Sequence, residues 1–219
     1  MRDDVPAKAG SVSGPAFAVP GTVPEGAELW LVRHGETEWS RTGQHTGRTD
    51  VELTAKGRTQ AAGLREQLGH LDDAAPYVIS SPLARARDTA RLAGLDVDEV
   101  DPDLAEWDYG DYEGRTSKDI RAERPGWDLW TDGVPGGETP DRVAARADRV
   151  LTKTCSRLSA GPVVLVAHGH VCRMMGARWI GLPPSGGRHL LLGTAAPSLM
   201  SVQYGVPVID RWNLPNPAT

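Results

Sequence analysis

The sequence predicts an α/β fold with a mostly parallel central sheet, and two observations carry this prediction. Short apolar runs alternate along the chain with longer helix-like segments, an order typical of parallel strands joined by helical crossovers. The first of these runs, LWLV at Leu29–Val32, lacks the polar alternation of a half-exposed strand. A continuous apolar run indicates burial on both faces, as in the inner strands of such a sheet.

The elements follow from these patterns in chain order. The expected strands are Glu28–Arg33, Tyr77–Ser80, Glu99–Asp101, Pro162–Ala167, Leu199–Tyr204 and Val208–Trp212. The expected helices are Lys56–Leu71, Pro82–Ala93, Pro140–Leu158 and His170–Ile180. Thr54 can cap the first helix, and Ser81-Pro82 offers the second helix an N-cap and a proline in its first turn. The segment 107–138 is rich in Gly, Asp, Trp and Arg, which predicts a long insertion over one end of the sheet.

Length and composition set the domain organisation. A chain of 219 residues fits one domain, and its net charge of −5 gives no indication of a nucleic-acid or anionic-membrane partner. No apolar run approaches the about 20 residues that span a bilayer. Residues 1–27 are rich in Pro, Gly and Ala and lack the apolar core of a secretory signal, so we expect a flexible leader before a single domain at 28–219. We expect a cytoplasmic protein, because Cys155 and Cys172 have no disulfide or zinc spacing.

Two apolar strands end in the same dipeptide. The first strand runs into His34-Gly35 and the fourth into His168-Gly169. Ligands of open α/β sheets bind beyond the carboxyl ends of the strands, so we expect both histidines at one crevice. Glycine after each histidine lets the backbone turn sharply and approach a ligand closely. A single histidine at a strand end is more often structural, and it is the duplication that favours a site.

Two arginines accompany the histidines. Arg33 precedes His34, and Arg85 lies in the first turns of the helix after the second strand, where N-terminal amides favour an anion. Alone, Arg85 would be read as a solvated surface charge. Together the two guanidinium groups suit phosphate oxygens.

A metal site is the main alternative, because His34, His168 and His170 could act as ligands. No carboxylate sits at ligand spacing, and two neighbouring arginines would repel a cation. We therefore expect a phosphate site with no metal and no cofactor.

Six motifs connect the chain to a known family. They are LVRHGETEW at 31–39, TGRTDVELTAKGRTQA at 46–61, SPLARARDTA at 81–90, LAEWDYGDYEG at 104–114, GGET at 136–139 and VAHGH at 166–170. In these motifs and their order, the chain resembles the histidine phosphatase superfamily, in its phosphoglycerate mutase-like branch. The resemblance implies a three-layer α/β/α sandwich and catalysis through phosphohistidine.

The resemblance also implies roles for individual residues. His34 matches the nucleophile, and Glu106 matches the proton donor. The matches to the phosphate pocket are Arg33, Arg85 and His168, the last expected in its protonated form. The expected substrate-binding residues are Ser40, Thr46, Gly47 and Gly169. Ser40 departs from the pattern, because mutases usually have asparagine there.

The resemblance is strongest to the subgroup of sedoheptulose bisphosphatase-like and actinobacterial acid phosphatase-like proteins. The segment 115–135 is shorter than the insertion of the mutases, which favours hydrolysis over return of the phosphoryl group. We expect a phosphatase of small phosphomonoesters, such as sugar phosphates or bisphosphates. Phosphoryl transfer of the phosphoglycerate mutase type and an inactive binding member of the fold remain alternatives.

Several residues have two readings at this stage. A second phosphate or a carboxylate could be held by Arg41, Arg48 or His170, although each is more often a surface or supporting residue. Four tryptophans could either fill the core or wall the pocket: Trp39, Trp107, Trp127 and Trp130. The expected partner is a small phosphorylated molecule, and the sequence indicates no oligomeric state.

Overall fold

The structure is a computed structural model that describes residues 17–216 and 218. Within this part of the chain, six strands form one sheet in the order β3-β2-β4-β1-β5-β6. The strands are β1 (Leu29–Arg33), β2 (Tyr77–Ser80), β3 (Glu99–Val100), β4 (Val163–Ala167), β5 (Pro197–Gln203) and β6 (Val206–Arg211). Strands β1 to β4 are mutually parallel, whereas β5 and β6 run antiparallel to their neighbours. The predicted mostly parallel sheet is confirmed.

Helices connect and cover these strands. They are α1 (Glu38–Thr42), α2 (Ala55–Leu68), α3 (Ala84–Leu92), α4 (Ser117–Glu123), α5 (Leu129–Asp132), α6 (Pro140–Cys155) and α7 (Gly169–Trp179). The four predicted helices are α2, α3, α6 and α7, with ends that differ by at most three residues. Helix α1 was not predicted. Helices α4 and α5 lie within the segment that was predicted as an insertion, so that segment has its own structure.

Apolar side chains project from both faces of the sheet. Leu29 and Leu31 belong to a core cluster that includes residues of α6 and α7. Trp30 and Val32, which alternate with them, belong to a second cluster with residues of α2 and α3. Because successive strand residues point to opposite faces, β1 is buried on both sides. This arrangement is the three-layer α/β/α sandwich that the resemblance implied.

The two expected helix caps have different outcomes. Thr54 caps α2, since its hydroxyl accepts a hydrogen bond from the Gly57 amide at 2.9 Å. The predicted cap by Ser81 is wrong, because α3 begins two residues later and its N-cap is Leu83. The Ser81 hydroxyl lies 2.7 Å from His168 Nε2 and also accepts from the amide of Leu83 at 3.3 Å, so it contacts both the site and the residue before the helix.

The end of the predicted leader contacts the folded domain. Val23 and Ala27 are buried, and the Gly26 amide donates to the Val202 carbonyl at 3.0 Å. The Glu25 carboxylate accepts from the amides of Tyr204 and Gly205 in the turn between β5 and β6. Residues 1–16, the greater part of the predicted leader, lie outside the described residues. No helix in the described part of the chain has the length and apolar character needed to cross a membrane.

Candidate active site

A cleft of about 230 Å³ opens at the carboxyl ends of β1 and β4. The register pairs Arg33 with Ala167, which brings the two histidine-glycine pairs side by side, and the His34 amide donates to the Ala167 carbonyl at 3.0 Å. Six predicted site residues line the cleft: Arg33, His34, Ser40, Thr46, Glu106 and Gly169. Gly47, Arg85 and His168 are buried and do not line it.

His34 is held by one hydrogen bond at the bottom of the cleft. Its Nδ1 lies 2.7 Å from the carbonyl of Gly35, and a carbonyl can only accept, so Nδ1 carries the proton. The other ring nitrogen, Nε2, therefore presents its lone pair. Burial, followed by the charges of Arg85 and Arg33, holds the pKa of His34 well below its ordinary value. The imidazole is neutral and nucleophilic at neutral pH.

Arg33 supplies positive charge next to His34. One terminal nitrogen donates to the Leu192 carbonyl at 2.6 Å, which fixes the guanidinium. Its Nε is buried and has no hydrogen-bond partner among the described residues. A Cβ on Gly169 would lie only 3.2 Å from this Nε, so glycine gives the guanidinium its space. The unpaired donor suits an oxyanion in the cleft.

Arg85 is fully buried and reaches the segment that follows α1. Its terminal nitrogens donate to the carbonyls of Thr46, Gly47 and Thr49 at 2.8 to 3.1 Å. Its Nε donates to His168 Nδ1 at 3.2 Å. In this structure Arg85 therefore joins one wall of the cleft to the end of β4, and its donors are directed at protein acceptors.

His168 has both ring nitrogens engaged. Nδ1 accepts from Arg85, so the proton resides on Nε2, which donates to the Ser81 hydroxyl. Burial and the charge of Arg85 hold the pKa of His168 well below its ordinary value. The expectation of a protonated His168 is therefore wrong for this structure, since a guanidinium donor requires a lone pair on the ring. The rings of His34 and His168 lie edge to face with centroids 5.2 Å apart.

Glu106 faces the cleft and is tied to the first turn of α7. One carboxylate oxygen accepts from the amides of Trp107 and Val171, and the other accepts from the amide of His170, at 2.9 to 3.0 Å. The first amides of a helix lack partners within it, and here the carboxyl group of Glu106 accepts from two of them. Helix α7 therefore positions the carboxylate beside the cleft.

The expected substrate-binding residues differ in what they offer. Ser40 lines the cleft, but its hydroxyl donates to the Thr37 carbonyl at 3.0 Å within the cap of α1. Thr46 lines the cleft, with its hydroxyl directed to the Gln44 carbonyl. The Gly47 amide donates to the Glu113 carboxylate at 2.9 Å, and a Cβ there would lie 2.5 Å from the Trp107 carbonyl. Gly47 therefore packs the segment in place from behind.

Sequence reasoning missed a cluster of rings in the same cleft. The Tyr109 hydroxyl lies 2.6 Å from His170 Nδ1, and the Tyr109 ring stacks on His45 with centroids 4.5 Å apart. Burial lowers the pKa of His45 to about 4 and raises the pKa of Tyr109 well above its ordinary value. Burial also holds the pKa of His170 well below its ordinary value, so all three rings are uncharged near pH 7. Tyr109 and His170 stood within quoted motifs, whereas nothing local marked His45.

The residues with two readings are separated by the structure. Arg41 pairs with Glu38 and Arg48 with Asp108, and neither arginine lines the cleft, whereas His170 does. Trp107, Trp127 and Trp130 are buried in the core. Trp39 is partly buried and lies against Gly114. Among the described residues, no group of three His, Cys, Asp or Glu side chains is placed to hold a metal ion.

Comparison with known proteins agrees with this geometry. Residues 29–215 match the family described as the Histidine phosphatase superfamily (branch 1). An acid phosphatase of Mycobacterium tuberculosis is 47% identical over 178 residues, which cover 81% of this chain and 88% of the relative. A sedoheptulose 1,7-bisphosphatase of Saccharomyces cerevisiae is 37% identical over 182 residues, which cover 69% of this chain and 67% of the relative. A probable phosphoglycerate mutase of Enterobacter sp. is 32% identical over 196 residues, covering 84% and 89%.

Solved structures give the same result. A protein of Mycobacterium tuberculosis superposes with a TM-score of 0.84 at 44% identity, over 87% of this chain and 99% of that chain. A mycobacterial glucosyl-3-phosphoglycerate phosphatase in complex with VO3 superposes with a TM-score of 0.76 at 33% identity, over 86% and 100%. The chain therefore belongs to the histidine phosphatase superfamily (branch 1), and it is a phosphoric monoester hydrolase of that family.

Proposed function

We propose that the protein hydrolyses small phosphomonoesters without a metal ion, through a phosphoryl group carried on Nε2 of His34. The observation that carries this proposal is the state of His34. Its Nδ1–H group donates a hydrogen bond to the Gly35 carbonyl, and its ring is neutral. The free nitrogen faces a cleft beside the unpaired Nε of Arg33. A neutral imidazole next to a guanidinium donor suits attack on a phosphate.

The reaction has two steps. In the first, the Nε2 lone pair of His34 attacks phosphorus, and the bond from phosphorus to the ester oxygen breaks. Glu106 donates a proton to the departing oxygen, and Arg33 stabilises the charge on the phosphoryl oxygens. In the second, the Glu106 carboxylate takes a proton from a water molecule as that water attacks phosphorus. The bond from phosphorus to Nε2 breaks, which releases phosphate and restores neutral His34.

The substrate that we propose is a sugar phosphate, a sugar bisphosphate or a metabolite of similar size. A cleft with histidine, arginine, serine and threonine in its wall offers the polar groups that such a molecule needs. The relatives named as an acid phosphatase, a sedoheptulose 1,7-bisphosphatase and a glucosyl-3-phosphoglycerate phosphatase support the same class. The short segment 115–135 favours hydrolysis over mutase chemistry.

A panel of sugar phosphates, phosphoglycerates, nucleotides and phosphopeptides tests the proposal, with release of inorganic phosphate as the readout. We expect the highest kcat/KM on sugar phosphates and no change after dialysis against EDTA. A loss that divalent metal restores would contradict metal independence. Interconversion of phosphoglycerates without phosphate release would make the protein a mutase, and binding without turnover would make it an inactive member of the fold.

A further inference from the structure

A second cavity of about 260 Å³ adjoins the catalytic cleft, and we call it the arginine pocket. Its lining residues are His45, Ser117, Arg121, Trp127, Asp128, Leu129, Trp130, His170, Arg173 and Arg188. His45, Ser117, His170 and Arg173 line both cavities, so the two spaces are adjacent. The rings of His45 and His170, with centroids 6.0 Å apart, stand at the junction.

The arginine pocket carries excess positive charge. Its one carboxylate, on Asp128, pairs with Arg188. Arg121 and Arg173 form no ion pair with any carboxylate in the described part of the chain. A pair of arginines without an ion-pair partner beside a cleft attracts an anion.

These two guanidinium groups are held in place by neutral acceptors. Arg121 Nε donates to the Trp127 carbonyl at 3.0 Å, which leaves its two terminal nitrogens for other partners. Arg173 donates to the carbonyls of Gly187 and Arg188 at 3.1 Å and stacks on the Trp130 ring, 4.9 Å from the centroid. Fixing a guanidinium before a ligand arrives lowers the entropy lost on binding.

The two histidine rings in the wall of the arginine pocket, His45 and His170, are uncharged. Burial and the charge of Arg121 lower the pKa of His45, and burial and the charge of Arg173 lower the pKa of His170. Both imidazoles are neutral near pH 7, and their N–H groups can donate to an oxyanion. The wall of the arginine pocket therefore offers donors with a net positive charge.

We propose that the arginine pocket binds a second anionic group of the substrate, a phosphate or a carboxylate, while the phosphate to be cleaved lies against His34. This inference rests on the proposed function and names its substrate class: small phosphomonoesters with a further anionic group at the opposite end. Arg121 and Arg173 are then the residues that set this specificity.

Matched substrates test the inference. Fructose 1,6-bisphosphate and fructose 1-phosphate differ in a second phosphate, and 3-phosphoglycerate and glycerol 3-phosphate differ in a carboxylate. We expect a higher kcat/KM for the doubly anionic member of at least one pair, and which pair responds separates phosphate from carboxylate. Equal values within both pairs would overturn the inference but leave the proposed function standing, because each substrate would still release phosphate.

Substitutions of the two arginines test which residues cause the preference for a doubly anionic substrate. Arg121→Gln and Arg173→Gln should each lower the ratio of kcat/KM within the responding pair by about 10- to 100-fold, the range for a lost hydrogen bond to a charged group. A ratio is used because a general loss of activity cancels from it. Arg124→Gln is the matched control, since this exposed arginine follows α4 and does not line the pocket. An equal fall in this control would assign the effect to general surface charge and overturn the inference.

Binding gives a readout that does not need turnover. In the His34→Ala protein, calorimetry should show tighter binding of fructose 1,6-bisphosphate than of fructose 1-phosphate, or of 3-phosphoglycerate than of glycerol 3-phosphate. The advantage should shrink when Arg173→Gln is added. If both pairs bind equally, the arginine pocket holds no anion, whatever the wild-type protein hydrolyses.

Discussion

His34 and His168 occupy equivalent places at the ends of two neighbouring parallel strands, yet their surroundings differ. His34 has one nitrogen bound to the backbone carbonyl of Gly35 and its other nitrogen at the cleft. His168 has both nitrogens bound to side chains, Arg85 and Ser81, and does not line the cleft. Chemical reactivity in this pair is decided by which nitrogen is left free, a property that the shared His-Gly dipeptide does not encode.

The two glycines that follow these histidines differ in the same way. A Cβ on Gly35 would lie 2.3 Å from the carbonyl oxygen of Gly57, so the backbone of α2 packs directly on it. A Cβ on Gly169 would meet the Arg33 side chain at 3.2 Å. The first glycine allows two backbones to pack, and the second allows a functional side chain to take its position.

The largest expected effect separates the two histidines. His34→Ala should lower kcat by about 10⁴-fold or more and abolish acid-labile phosphate on the protein, because the attacking nitrogen is gone. His168→Ala should lower kcat by about 10²-fold and still form the phosphoprotein, because His168 acts through Arg85. Rapid quenching with labelled substrate measures both quantities. A phosphoprotein in the His34→Ala variant would assign the nucleophile to another residue.

A substitution of Glu106 tests whether the region around His168 also contributes to chemistry. The carboxyl group of Glu106 is hydrogen-bonded to the first turn of α7, the helix that follows His168. Glu106→Gln should lower kcat on alkyl phosphates by about 10²- to 10⁴-fold, the usual value of a general acid. The loss on p-nitrophenyl phosphate should be much smaller, because that leaving group scarcely needs a proton. Equal losses on both substrates would indicate that Glu106 only positions α7.

The glycine pair should respond with opposite readouts. Gly35→Ala should lower the free energy of unfolding by about 1–3 kcal/mol, because neither backbone can move cheaply away from the new methyl group. Gly169→Ala should leave the free energy of unfolding nearly unchanged and lower kcat/KM by about 10-fold, because the Arg33 guanidinium must shift. Denaturant unfolding and steady-state kinetics measure the two effects. Equal losses of stability would remove the distinction between the glycines.

The smallest expected effect is that of acid pH, which should act on His34 and His168 in the same direction. Their pKa values lie well below the ordinary 6.5 because of burial and, next, Arg85, so both stay neutral as the pH falls below 6.5. The histidines of the unfolded chain gain protons in that range and these two in the folded chain do not, so the free energy of unfolding decreases as the pH is lowered. The acidic limb of kcat/KM should lie below pH 6.5. A limb centred on 6.5 would indicate an ordinary, solvated imidazole.

Much of the sheet and the closeness of His34 and His168 could be predicted from local sequence. Apolar runs ending in His-Gly mark buried strands that stop at a functional edge, and the parallel register of β1 and β4 then brings His34 and His168 together. The bound state of each ring could not be predicted in this way. The contacts of His168 with Ser81 and Arg85 join residues more than 80 positions apart in the chain.

The errors have a common physical origin. Ser81 was predicted as a helix cap because serine before proline is a local signal, but a buried imidazole competes for the same hydroxyl. Arg85 was expected beside Arg33 in a phosphate pocket, and that role stays a prediction. Its hydrogen bonds to the carbonyls of Thr46, Gly47 and Thr49 depend on tertiary packing, so the local sequence did not indicate them. His45 and Arg173 gave no local signal, because their role arises where two cavities join.

The unpaired Nε of Arg33 links the stability of the fold to its ligand. A buried donor without an acceptor lowers the free energy of unfolding by about 1–3 kcal/mol. In the proposed reaction an oxyanion in the cleft supplies that acceptor, so we expect part of the affinity for phosphate to be stability that the unliganded protein lacks. A substitution that satisfied Nε from within the protein would raise the melting temperature and, at the same time, compete with substrate. The position is therefore a compromise between stability and activity, at which the more stable variant is the poorer enzyme.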